Sequence, residues 1–172
     1  MTTHAAFIRG INVGGNKQIR MSDLKSACES AGLANVRTLL QSGNVVFECA
    51  RRDPAKIIEK ALAHLDVRVL TRTADELCDL IARNPFDSDR NPSQLIVFFL
   101  EKPPAKEALA ALRAAIQGPE ELHASGRELF VYYPAGMGKS KLTNAVVERK
   151  LGMAATARNW NTVEKVASSS RA

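Results

Sequence analysis

The stretch Leu39-Leu-Gln-Ser-Gly-Asn-Val-Val-Phe47 decides the fold, because a similar pattern returns as Leu122-His-Ala-Ser-Gly-Arg-Glu-Leu-Phe130. In each copy an apolar strand pattern leads into Ser-Gly, which is turn chemistry, and then into a second strand. Residues 57–62 likewise match residues 146–151, with apolar, acidic and basic positions in register. An internal repeat of this kind predicts two similar structural units.

The copies differ in where they carry extra residues. The offset between them grows from 83 residues at the first matching block to 89 at the second. The extra residues of the second copy fall at Tyr133-Pro-Ala-Gly-Met-Gly-Lys-Ser140. The first copy is instead enlarged after its first strand, at Arg9-Gly-Ile-Asn-Val-Gly-Gly-Asn-Lys17. Each enlargement is therefore a glycine-rich, basic loop.

The periodicity of the first copy predicts a strand–helix–strand–strand–helix–strand order. Strands are expected at 5–11, 36–40, 45–49 and 67–70, with helices at 22–31 and 54–65. Thr73-Ala-Asp-Glu76 has the spacing of a capping box, which predicts a further helix to about Ala82.

The second copy predicts the same order. Strands are expected at 95–100, 121–124, 128–133 and 154–157, with helices at 104–116 and 142–151. A final helix is expected to begin near Asn161 and to fray from Ser168 onward.

These patterns predict the α+β class, with two tandem ferredoxin-like (βαββαβ) modules, each followed by a helix. The first module is placed at 1–83 and the second, with its C-terminal helix, at 94–172. Residues 84–93 are rich in turn formers and are predicted to be the linker. One continuous mixed sheet is the alternative.

The composition excludes several classes of protein. The chain has 172 residues, 45% of them hydrophobic, so it has the material for a substantial core. It has no apolar run long enough for a membrane span, and no signal-peptide pattern, which predicts a cytoplasmic protein without a membrane partner. The net charge of +6 favours polyanions without specifying one.

No metal, cofactor or catalytic residue is predicted. The three histidines lie on separate elements, and the three cysteines are widely spaced in helix-like or strand-like segments. Gly138-Lys-Ser140 is not a phosphate-binding Walker motif, because Tyr133 stands where that motif requires glycine. The alternating aromatics Phe130 and Tyr132 are interpreted as core packing in preference to base stacking.

A first ligand-binding surface is predicted where the loop after the first strand meets the first hairpin turn. In the predicted topology the first two strands run parallel, so both segments lie at one edge of the sheet. The polar side chains expected there are those of Arg9, Asn12, Asn16, Lys17, Ser42 and Asn44.

A second surface is predicted beside the loop at 135–141. Gly136 and Gly138 would let backbone amides face a ligand, and the following helix would point free amides outward, as at phosphate and carboxylate sites. The strand ends place this loop next to residues 158–161. The residues proposed to bind are Lys139, Ser140, Lys141, Arg158, Asn159, Trp160 and Asn161. The alternative is that both enlarged segments are long turns with solvated lysines.

Several segments together resemble the bacterial family called domain of unknown function 1697. They are Arg9-Gly-Ile-Asn-Val-Gly-Gly15, Gln41-Ser-Gly-Asn-Val-Val-Phe47, Asn84-Pro-Phe86, Ser140-Lys-Leu-Thr-Asn144, Glu148-Arg-Lys-Leu-Gly152 and Arg158-Asn-Trp-Asn-Thr-Val163. The resemblance spans nearly the whole chain and implies a two-subdomain α+β fold with ferredoxin-like halves. It implies no activity. Met137 departs from the more polar turn that the resemblance leads us to expect.

The leading hypothesis is a cytoplasmic module that binds an anionic ligand, either a phosphate-bearing metabolite or a nucleic acid. One alternative is an enzyme of unknown reaction type that uses the same basic, glycine-rich cleft. Another is a scaffold for protein interactions. Oligomeric state and protein partners are left open by the sequence.

Overall fold

The computed structural model describes residues 1–15 and 17–172, and it has a mixed α+β architecture. The first half contains β1 (Thr2–Arg9), α1 (Met21–Ser30), β2 (Ala34–Leu39), β3 (Asn44–Cys49), α2 (Pro54–Ala61), β4 (Arg68–Thr73) and α3 (Ala74–Ala82). The second half contains β5 (Leu95–Leu100), α4 (Lys106–Ala114), β6 (Glu121–Ser125), β7 (Glu128–Tyr132), α5 (Asn144–Leu151), β8 (Ala155–Asn159) and α6 (Trp160–Arg171).

The strands form two four-stranded sheets with the orders β2-β3-β1-β4 and β6-β7-β5-β8. Every described strand pair is antiparallel. In the described part of the chain the alternative of one continuous sheet is therefore wrong, and the arrangement is consistent with two tandem modules. β5 lies inside its sheet because its six residues are apolar and buried, and such a strand needs a hydrogen-bonding neighbour on each side.

Each sheet has one face packed against two helices. In the first unit, Ile8, Val45 and Phe47 of the sheet pack with Leu24 of α1 and Ile58 of α2 in one core cluster. The opposite face is buried as well, and α3 packs there against β1 and β4. Period-two alternation along β1 and β3 thus supplies apolar side chains to both faces.

The second unit repeats this arrangement. Phe98 and Leu129 of the sheet pack with Leu112 of α4 and Val147 of α5. Phe130, which points to the opposite face, is fully buried, and its ring centroid lies 6.2 Å from that of Trp160. The interpretation of Phe130 as a core residue is thus in agreement with its burial.

The helix starts show which local signals are correct. The Thr73 hydroxyl accepts from the Glu76 amide at 3.1 Å, and the Glu76 carboxylate accepts from the Thr73 amide at 2.8 Å, as a capping box requires. The start predicted at residue 142 is two residues too early. Thr143 caps α5, its hydroxyl accepting from the Val146 amide at 3.3 Å.

The predicted fraying of the C-terminus is wrong. α6 continues to Arg171, and its Val166, Ala167 and Ser170 side chains are buried. The Arg37 guanidinium of β2 donates to the Ser169 carbonyl oxygen at 2.7 Å. Burial and this long-range contact hold a serine-rich end that its composition alone would leave frayed.

By contacts the chain divides into two compact units, Met1–Ala82 with Lys165–Ala172, and Arg83–Glu164. The boundaries at 1–83, 84–93 and 94–172 stay a prediction. Within the second unit, the segment at 84–93 lies on the β6–β7 hairpin. There the Arg90 guanidinium lies 4.7 Å from the Tyr132 ring centroid and pairs with Glu121.

The described helices do not include one with both the length and the apolar character needed to cross a lipid bilayer.

The two hairpin glycines offer a matched test of packing. Gly43 and Gly126 both have positive φ, but a Cβ on Gly43 would lie 2.7 Å from Ile11 Cδ1, whereas one on Gly126 would meet nothing within 4 Å. We expect Gly43→Ala to lower the free energy of unfolding by about 2–4 kcal/mol, from backbone strain plus overpacking. Gly126→Ala should cost only about 1 kcal/mol. Urea denaturation followed by circular dichroism measures both, and equal losses would contradict the packing argument.

Candidate functional site

A cavity of about 270 Å³ lies within the second unit between two loops. The first loop joins α4 to β6, and the second joins β7 to α5. Its walls are formed by Gln117, Gly118, Pro119, Glu120, Tyr133, Pro134, Ala135, Gly136, Lys139, Ser140, Lys141 and Leu142. It therefore contains three of the sequence-predicted site residues.

Strand register brings these two loops together. Glu121, the first residue of β6, is paired with Tyr132, the last residue of β7. The chain that enters β6 and the chain that leaves β7 consequently lie at the same edge of the sheet. The second loop is held down by Met137 and Leu142, whose side chains pack against the apolar core. Met137, which is unexpected in a polar turn, is thus an anchor for the loop.

Tyr133 forms the buried base of the cavity. It is 1% exposed, and its hydroxyl donates to the Leu142 carbonyl oxygen at 2.8 Å. Burial raises the pKa of this phenol well above its usual value, and the nearby Glu120 carboxylate raises it further. Tyr133 is therefore a neutral hydrogen-bond donor at physiological pH.

Glu120 joins the two loops. The Ser140 hydroxyl donates to Glu120 Oε1 and accepts from the Leu142 amide at 3.0 Å. Glu120 Oε2 is buried and has no hydrogen-bond partner among residues 1–15 and 17–172. A Cβ on Gly118 would lie 2.7 Å from this oxygen, so the Glu120 carboxylate would have to shift if residue 118 carried a side chain.

Lys139 and Lys141 provide the positive charge of the cavity. Both are exposed and line its wall. In the described structure neither ammonium group has an ion-pair or hydrogen-bond partner. The first turn of α5, which was expected to offer free amides, is partly satisfied by the Thr143 cap. The cations of the site are thus these two lysines.

Residues 158–161 do not line the cavity, although β7 and β8 end at the same edge of the sheet. Leu142 packs on the face that carries α4 and α5, whereas Arg158 alternates with Ala157 and points to the other face. Arg158 is 8% exposed, and its guanidinium donates to Thr156 Oγ1 at 2.7 Å and to the Ala157 carbonyl oxygen at 2.8 Å. Burial lowers its pKa to about 10.

The other three residues of this group have structural contacts. The Asn159 side chain accepts from the Thr162 amide at 3.0 Å and so caps α6. Trp160 is 7% exposed and packs near Phe130. Asn161 is exposed, and its amide donates to Ser93 Oγ at 3.3 Å. The burial of Trp160 favours a role in anchoring the final helix over contact with a ligand.

The structure does bring together the loop after β1 and the first hairpin turn. The Ile8 amide donates to the Gly43 carbonyl oxygen at 2.9 Å. The Asn12 side-chain amide donates to the carbonyl oxygens of Ile19 and Gln41, at 3.0 Å each, and its Oδ1 accepts from the Ile19 amide at 2.9 Å. The polar groups of Asn12 therefore hold the loop closed.

The remaining residues of this surface are also engaged. Lys17 donates to the Asp66 carbonyl oxygen at 2.8 Å. The Asn44 amide is buried and donates to the Leu39 carbonyl oxygen and to Ser42 Oγ, at 2.9 and 3.0 Å. Arg9 ends β1, paired with Arg68 of β4. Asn16 lies outside the described residues.

Over 1–15 and 17–172, His, Cys, Asp and Glu side chains form no group of three that could hold a metal ion. His4 stacks on Phe47 at a centroid distance of 5.6 Å, and burial lowers its pKa. His123 meets the Phe86 ring edge-on at 5.1 Å. These two histidines are packing residues of the sheets.

The model of the family described as protein of unknown function (DUF1697) matches residues 1–130, and the chain belongs to this family. The motifs quoted above from 140 onward lie beyond the matched range. No curated protein matches the chain. A solved structure of the conserved bacterial protein SP0830 from Streptococcus pneumoniae is similar over 98% of both chains, with a TM-score of 0.77 and 19% sequence identity. At this identity the similarity concerns the fold alone.

Sequence reasoning missed the loop at 117–120, which supplies one wall of the cavity. Gly118-Pro119 is a turn signal directly before a predicted strand. Since the next two strands form a hairpin, the entry of the first and the exit of the second must be neighbours. That argument would have placed Glu120 beside Ser140.

Tyr133→Phe tests how the cavity base is held. The substitution leaves the buried Leu142 carbonyl oxygen without its donor, so we expect the free energy of unfolding to fall by about 1–2 kcal/mol. Tyr132→Phe is the control, because the Tyr132 hydroxyl bonds to a half-buried Gln94 side chain at 3.1 Å. Its loss should be below about 1 kcal/mol in the same urea titration.

The same variant has a pH signature. The pKa of Tyr133 is higher in the folded state than the value of about 10 expected in the unfolded state. The protonated phenol therefore stabilises the folded state fully below about pH 10, and this stabilisation declines as the pH rises further. We expect Tyr133→Phe to flatten the decline in stability above about pH 10. An unchanged pH profile would show that this phenol ionises equally in both states.

Asn12→Ala tests whether Asn12 has a structural role. Losing three hydrogen bonds and placing alanine at a φ of 55° should lower the unfolding free energy by about 2–3 kcal/mol. Gln18→Ala, at an exposed residue of the same loop, should have almost no effect in the same thermal and urea unfolding series. Wild-type stability for Asn12→Ala would contradict the structural role.

Proposed function

We propose that this protein binds a small anionic ligand in the cavity between residues 117–120 and 133–142. One observation carries the proposal: Lys139 and Lys141 stand at this cavity without acidic or carbonyl partners among the described residues. Two unpaired ammonium groups attract an anion, and a partly enclosed setting strengthens that attraction over open water.

A phosphate-bearing metabolite suits the cavity better than a nucleic acid. The volume is about 270 Å³, and both lysines come from one short loop, so the lining of this cavity does not form an extended basic track for a strand backbone. The net charge of +6 would add long-range attraction for either ligand. Arg158, Asn159, Trp160 and Asn161 play no direct part in this proposal, because none of them lines the cavity.

The proposal includes the architecture that supports the site. We infer that the two halves are copies of one ferredoxin-like βαββαβ unit. The inference is supported by the shared strand order and by the shared sequence of connections between strands and helices. The cytoplasmic location stays a prediction from the sequence.

The test is a double substitution of the two lysines. Lys139→Ala with Lys141→Ala should weaken binding of inorganic phosphate and pyrophosphate at low salt by at least about tenfold, because both charges are lost. Thermal stability should stay near wild type, since both side chains are exposed. Calorimetry and the amide shifts of Gly136 and Gly138 in nitrogen-15 NMR spectra report binding.

The matched control is Lys102→Ala with Lys106→Ala. These two exposed lysines follow β5 at the opposite edge of the same sheet and change the net charge equally. Retained binding in the control, with loss in the first variant, supports the cavity. Equal weakening in both would show general charge attraction. An oligothymidylate bound more tightly than pyrophosphate, with a steep salt dependence, would favour nucleic acid.

A further inference from the structure

The cavity next to Lys139 and Lys141 has charges of opposite sign at different depths. The lysines are exposed, whereas Glu120 is half-buried, with Oε2 shielded from water. The Glu120 charge acts on the buried Tyr133 phenol, because it contributes to the raised pKa of Tyr133. The outer end thus attracts an anion, and the inner end repels one.

Much of the lining is apolar. The exposed residues Pro119, Pro134 and Ala135 contribute to it, and the buried side chains of Tyr133 and Leu142 supply its most enclosed part. An apolar cavity of roughly 150 Å³ is sufficient to bind benzene. A cavity of about 270 Å³ therefore has room for one substituted ring or a short acyl group.

We propose that the ligand is a small amphipathic organic anion, an aryl or acyl phosphate or carboxylate, whose uncharged body enters first. Its single anionic group then stays at the rim between Lys139 and Lys141. Glu120 is the specificity-determining residue, because its carboxylate excludes ligands that carry a second negative charge on the inner end. This inference rests on the proposed function and adds the ligand class and its orientation.

Four probes test it on the full chain by calorimetry. Phenyl phosphate should bind at least about tenfold more tightly than inorganic phosphate, because the ring leaves water for an apolar lining. Adding a carboxylate, in 4-carboxyphenyl phosphate, should weaken binding relative to phenyl phosphate by at least about tenfold through repulsion by Glu120. 4-Carbamoylphenyl phosphate, whose substituent is of similar size but uncharged, should bind nearly as well as phenyl phosphate.

Glu120→Gln provides the matched variant. An amide oxygen still accepts the Ser140 hydroxyl, so the loops stay joined while the charge is removed. The variant should bind 4-carboxyphenyl phosphate as tightly as the carbamoyl probe. The comparison of these two probes on the wild-type protein needs no substitution, and it decides the question even if Glu120→Gln fails to fold.

The outcomes separate this inference from the proposed function. Equal affinity for phenyl phosphate and inorganic phosphate, with both lost in the Lys139→Ala, Lys141→Ala variant, would overturn the amphipathic class and leave anion binding intact. Equally weak binding of the carboxy and carbamoyl probes would overturn the role of Glu120. If no probe depends on the two lysines, both proposals fail.

Discussion

The pairing of β5 on both of its sides is the constraint on which the candidate site depends. Its six apolar residues are buried, so the backbone of this strand has to find hydrogen-bond partners within the sheet. β7 provides them on one side and β8 on the other. Once β7 is fixed, its hairpin with β6 fixes the pairing of Glu121 with Tyr132. The cavity lies where the chain enters and leaves that hairpin, so its walls follow from strand register.

The two halves have the same strand order but use their enlarged loops differently. In the first half, the loop after β1 folds against the hairpin turn, where Ile11 fills the space beside Gly43. The side-chain amide of Asn12 in this loop donates its hydrogen bonds to backbone carbonyl oxygens. In the second half, the enlarged loop follows β7 and is anchored by Met137. Its two lysines are exposed and line the cavity. Both enlarged loops therefore border a cavity, of about 580 Å³ beside Asn12 and about 270 Å³ beside Lys139. They differ in their polar groups, because Asn12 is hydrogen-bonded within its own loop, whereas the two lysines have no partner in the described structure.

Local chemistry could be predicted from the sequence, whereas burial of polar groups could not. The Thr73 capping box and the Asp53 cap are formed by residues three positions apart, so a short window contains the whole interaction. Arg158 looks like a binding residue because arginine is usually exposed. Its burial depends on strand alternation and on what covers that face. Likewise, Ser170 lies in a polar tail, yet it is buried because α6 packs along its whole length. The position of Glu120 beside Ser140 can be predicted only once the pairing of β6 with β7 is known.

Glu120 makes the two ends of the cavity electrostatically different. Glu120 Oε2 is buried without a hydrogen-bond partner in the described structure. Burying an unsatisfied polar atom costs about 1–3 kcal/mol, and a charged group costs more. The chain nevertheless has glycine at Gly118, where a Cβ would collide with that oxygen at 2.7 Å. Ser140 offsets part of the cost by donating to the other oxygen, and this bond also joins the two walls. If joining the walls were the only role, a neutral acceptor of similar size would do so without burying a charge. A carboxylate behind two exposed lysines does more, because it makes the inner and outer ends of the cavity electrostatically different.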